Sequence, residues 1–122
     1  METQAELGVL LGFGIMYNIF YKKEIIMPAG YVIAQLKVTN LENYKEYVEK
    51  VPDVVKKYGG EYLARGGEHQ VVEGEDNFPR IVIIKFPTYE KALEWYHSDE
   101  YKPVKDIRLQ NSEGSNIIIK GI

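Results

Sequence analysis

The chain has 122 residues, 45% hydrophobic and 27% charged, which suits one globular domain with a single core. A formal net charge of −3, with no Lys/Arg run longer than two, argues against nucleic-acid binding, which needs a basic surface. The absence of cysteine excludes disulfides, thiolate metal ligands and cysteine nucleophiles, and suits a cytoplasmic location.

Leu7 to Tyr21 is mostly apolar, but it is shorter than the about 20 residues a membrane helix needs and holds Gly8, Gly12, Gly14 and Asn18. Glu2 and Glu6 precede it and no small-residue cleavage site follows, unlike a secretory signal. The folded domain is therefore expected to span 27–122 with no membrane contact of its own. Residues 1–26 would lie outside it, helical from Glu6 to about Phe20. They are either an upstream extension set by start-codon choice or a membrane or partner anchor.

Tyr31 to Val38 alternates as a strand, with Val32, Ala34, Leu36 and Val38 on one face. Thr39-Asn40 caps a helix from Leu41 to Tyr58, whose Tyr44, Tyr47, Val51 and Val55 recur at helical spacing. Glu46/Lys50 and Asp53/Lys57 are i,i+4 pairs on its outer face. Pro52 is predicted to kink or divide this helix, and Gly59-Gly60 to end it. Glu61 to Arg65 reads as a short strand, Gly66-Gly67 as a turn or bulge, and Glu68 to Glu73 as a further strand. A polar loop leads to the strongest strand, Arg80 to Phe86. Pro87 stops it and Thr88 caps a helix ending near His97. Ser98 caps a short helix from Asp99 to about Leu109; Asn111 to Ser115 reads as a loop, and Asn116 to Lys120 as the last strand.

The order is β-α-β-β-α-β, an α+β ferredoxin-like sandwich. Ile81 to Ile84 and Ile117 to Ile119 put apolar residues on both strand faces, and two helices cover only one. The other face calls for a second copy of the chain, giving a homodimer, a dimeric α/β barrel.

Tyr44, Tyr47, Tyr58-Gly59-Gly60, Arg65-Gly66-Gly67, Glu73-Gly74, Arg80, Phe86-Pro87, Ala92, Trp95-Tyr96, Ser98, Tyr101 and Arg108 form a pattern. From Tyr31 to about Ile122 the chain resembles the domain-of-unknown-function family DUF1330. It departs at Leu41, where that family often has proline, which touches only helix initiation. The resemblance implies the dimeric α/β-barrel superfamily, which holds cofactor-free monooxygenases, lactone isomerases and plain binding proteins. It implies fold and dimer rather than chemistry.

Several residues have two readings. Arg65 is an anion clamp beside the glycine amides, or it pairs with Glu73 or Glu61. His97 is a general base moving a proton, or a cation closing the helix at its negative end. Arg108 projects with Tyr101 and Val104 from one apolar face, so it meets either a buried carboxylate or an anionic ligand. Tyr47, Trp95 and Tyr101 build the core or line a pocket. No metal set, dinucleotide fingerprint or nucleophilic-serine motif appears, so no cofactor is expected. Two functions stay open: cofactor-independent binding or turnover of a small aromatic or carboxylate metabolite, and a non-catalytic dimeric module.

Overall fold

In the structure, a computed structural model, residues 27–122 are described; the helix expected from Glu6 to about Phe20 lies outside the described residues. Alternation builds β1 (Gly30–Val38), with Val32, Ala34 and Leu36 buried and Gln35 and Lys37 exposed on the other face. Asn40 starts α1 (Leu41–Lys57), its side-chain oxygen accepting the Asn43 N–H at 3.1 Å. Tyr44, Tyr47, Val51 and Val55 form the buried stripe.

Of the two outcomes expected at Pro52, division does not occur: α1 runs unbroken through it. Proline removes the N–H that would bond the carbonyl four residues earlier, that of Val48. The Arg65 guanidinium fills the gap, Nη2 donating to Val48 O at 2.7 Å. The helix ends in a Schellman turn. Gly59, at φ 81°, donates to Lys56 O and Gly60 donates to Val55 O, each at 2.9 Å. Lys50 meets Glu46 at 2.6 Å as its spacing predicts, whereas Lys57 turns from Asp53 to Glu100.

β2 (Glu61–Arg65) pairs with β3 (Arg80–Phe86), and the register slips between Tyr62 and Ala64. The strand expected at Glu68–Glu73 is not formed, and residues 66–79 are an exposed loop. Val71 and Val72 are its only β-branched residues, so the segment has little strand propensity of its own.

Thr88 caps α2 (Tyr89–His97), Oγ1 accepting the Lys91 N–H at 3.0 Å. The Ser98 hydroxyl then serves two helices, donating to Trp95 O at 2.8 Å and accepting the Tyr101 N–H at 3.1 Å. The helix it introduces, α3 (Tyr101–Asn111), begins and ends two residues later than its spacing suggests. β4 (Ser112–Lys120) follows at once, so the loop expected at Asn111–Ser115 is overturned. Ser112 to Ser115 have little strand propensity of their own, but they pair with Val38 to Gln35 along the open edge of β1.

The antiparallel sheet has the order β2-β3-β1-β4, and the three helices of the described residues cover one face. Tyr31, Ile33, Ile81 and Ile83 lie half-buried on the opposite face, beside Ile117 and Ile119 at 54% and 52% exposure.

Candidate functional site

Between the sheet and α1 lies a cavity of about 390 Å³ of empty space, mouth included. Val32, Ala34, Leu36, Val82 and Ile84 line it from the sheet, and Tyr44, Tyr47, Val48 and Val51 from α1. Trp95 of α2, Arg108 of α3, Tyr62 and Arg65 of β2, Arg80 of β3 and Asn116 of β4 complete the wall. Its centre admits little more than a water molecule.

The β2 bulge sets the site's composition. Tyr62 pairs with Ile84 and Arg65 with Val82, so both face the helices although they are three positions apart. An unbulged strand would turn one of them to the open face of the sheet. Once turned inward, the Arg65 guanidinium stacks over the Tyr62 ring, 4.7 Å from its centroid, and caps the Val48 carbonyl. That geometry replaces the ion pair with Glu73 or Glu61, neither of which bonds Arg65. Gly66, at φ 65°, is needed here: a Cβ would lie 2.4 Å from Arg80 Nη1, whereas one on Gly67 would meet nothing within 4 Å.

Among the described residues three arginines line this cavity and no acidic side chain does, on a chain whose net charge is −3. Arg108 is 5% exposed. Among the described residues its Nε and Nη2 have no partner, nor do Arg80 Nε, Trp95 Nε1 and Asn116 Oδ1, all buried. Arg80 reaches over the Tyr44 ring at 5.7 Å. Burial draws the Arg108 pKa down, but the neighbouring Tyr101 and Tyr47 more than offset it, so the guanidinium stays charged.

The aromatic residues form a ladder. Trp95 stacks on Tyr101 at 4.2 Å between centroids, and the Tyr101 and Tyr47 hydroxyls are 2.8 Å apart. Burial pushes the Tyr47 hydroxyl well above its ordinary pKa and raises Tyr101, while Tyr62 is pushed up to about 12. At neutral pH these phenols are neutral hydrogen-bonding groups, not bases.

The structure thus brings Arg65, Arg108, Tyr47 and Trp95 to one cavity, with Tyr101 behind it. His97 is elsewhere. It is exposed in a shallow depression with Tyr58, Glu94, Ser98, Asp99 and Glu100. There Glu100, held by Lys57 and by the Tyr58 hydroxyl at 2.7 Å, has its carboxyl lowered to about 2. Arg80 and Asn116 were missed as site residues, though alternation carried the signal: each lies two positions from an inward apolar residue, Val82 and Ile118. Among the described residues no group of three His, Asp or Glu side chains could hold a metal ion.

The strand order, antiparallel pairing and one-sided helix layer define a ferredoxin-like α+β protein. The chain belongs to the family described as domain of unknown function (DUF1330), which matches residues 29–122. It is 32% identical over 94 residues to uncharacterised protein MJ0919 of Methanocaldococcus jannaschii, covering 73% of this chain and 59% of that protein's length. Two crystal structures of the RPA0582 protein share the fold, one of the methylated protein and one titled as a protein of unknown function from Rhodopseudomonas palustris. Each has a TM-score of 0.64 and 14% identity over 86% of this chain, covering 90% and 92% of the solved chains.

Proposed function

We propose that the protein binds a small carboxylate metabolite between the sheet and α1, with Arg108 and Arg80 as anion anchors and Arg65 at the wall. The observation that carries this is the buried Arg108 guanidinium, charged, with two unpartnered nitrogens, facing a cavity with no acidic side chain. Each buried donor left unpaired costs about 1–3 kcal/mol, and an entering carboxylate would pair both nitrogens in bidentate form. Trp95, Tyr47 and Tyr62 offer ring surface to a short apolar portion. Among the described residues neither a carboxylate nor a histidine lines the cavity, and its phenols titrate high, which favours binding over proton transfer.

A thermal-shift screen of aliphatic and aromatic acids, followed by calorimetric titration, tests this reading. Stabilisation that rises with acid concentration is expected, about 2.7 kcal/mol at a hundred times the dissociation constant. If no acid shifts the melting point, the cavity is structural.

The proposal includes a homodimer, since Ile117, Ile119 and Leu63 are each more than half exposed on the uncovered sheet face. Strands apolar on that side are stable in water when a second sheet packs against them. A non-catalytic dimeric module would use this face alone and leave the cavity unused.

A further inference from the structure

We propose that the acid taken by this cavity is a hydroxy acid, its carboxylate held by Arg108 and Arg80 and its hydroxyl donated to Asn116 Oδ1. This rests on the carboxylate reading and goes one step beyond it. The unpartnered atoms of the wall are four donors (Arg80 Nε, Arg108 Nε and Nη2, and Trp95 Nε1) and a single acceptor, Asn116 Oδ1. Were that oxygen within hydrogen-bond reach of a guanidinium, the two would satisfy each other; they do not. The register explains the separation. Arg80 lies on β3 opposite Leu36, and Asn116 on β4 opposite Ala34, so β1 stands between them. That is two strand spacings, about 10 Å between backbones, which the arginine stem only partly spans.

A simple carboxylate satisfies the donors and leaves the acceptor dry, because an ionised carboxylate has no hydrogen to give. A ligand that brings a donor of its own satisfies that acceptor as well. An ammonium group would donate, but three guanidiniums line the same cavity and repel a second cation. A hydroxyl donates without charge. The narrow centre limits the class to short chains.

The test is calorimetric titration of the full chain with glycolate, 3-hydroxypropionate and 4-hydroxybutyrate against acetate, propionate and butyrate. Methoxyacetate and glycine serve as controls. At least one hydroxy acid should bind about tenfold more tightly than its parent acid, the usual worth of satisfying one buried acceptor. Asn116→Ala should erase that preference while retaining the parent acid. The preference is read in the wild type, so a poorly folded variant does not decide the matter; Asn116→Ser gives a second, smaller polar replacement. Equal binding of parent and hydroxy acids overturns this inference and leaves the carboxylate reading standing. Methoxyacetate matching glycolate shows that no donor is read, and glycine exceeding glycolate shows that the donor is an ammonium; either overturns the inference alone. Binding of no acid removes both.

Discussion

Replacing Arg108 with methionine should make the ligand-free protein more stable while removing its affinity for acids. The side chain is 5% exposed, and its Nε and Nη2 lack partners. Each buried donor left dry costs about 1–3 kcal/mol, and methionine keeps the length of the side chain without the charge. Against this stands the loss of the favourable contact with the Tyr101 hydroxyl, about 1–2 kcal/mol on the same scale. The balance favours Arg108→Met by about 1–3 kcal/mol, in line with other buried ionic groups replaced by apolar ones. For a domain of this size that is a rise in melting temperature of at least about 4 °C. Urea unfolding and thermal melts should be compared at one protein concentration after dialysis against acid-free buffer, so that bound ligand does not support the wild type. A loss of more than about 2 kcal/mol in the variant would refute the reasoning, because it would mean that the guanidinium bonds protein groups and holds the core together.

Gly66→Ala should cost about 1 kcal/mol for its left-handed backbone and also weaken acid binding by displacing the Arg80 guanidinium, whereas Gly67→Ala should change neither; equal effects at both positions would contradict the assigned geometry. The buried phenols make stability alkali-sensitive: it should hold below the ordinary tyrosine pKa of 10.0 and fall as pH rises through the Tyr62 value of about 12, in step with phenolate absorbance. Glu100 acts in the opposite direction, its contribution being present above the ordinary 4.5 and lost as pH falls through about 2, and Glu100→Gln should flatten that part of the acid limb. Light scattering at micromolar concentration should give twice the chain mass, and Ile83→Asp should reduce it to the chain mass; a wild-type monomer would remove the face-to-face sheet packing.

Elements with one dominant local signal were legible in the sequence. The alternation in Tyr31–Val38, the β-branched run in Arg80–Phe86, the caps at Asn40, Thr88 and Ser98, and the glycine stop after α1 all encode themselves within a few residues. What escaped was set by distant partners. Ser112–Ser115 becomes strand because β1 has an edge to fill, and α1 survives Pro52 because an arginine from another strand supplies the missing donor. The cavity follows the same division. Arg108 was legible from its place on an apolar helix face, whereas the inward turn of Arg65 depends on a bulge inside β2 that no residue type announces. Arg80 and Asn116 were readable by counting in twos but were passed over, being polar residues at the starts of apolar runs.

The central claim is that an acid docks on the Arg108 guanidinium inside the core. A crystal structure of the full chain grown with saturating 3-hydroxypropionate tests it most directly. The carboxylate oxygens should lie about 2.7–2.9 Å from Arg108 Nε and Nη2, the range of charge-assisted pairs. If the acid sits outside the cavity, or if a protein carboxylate occupies those two nitrogens instead, the account is wrong.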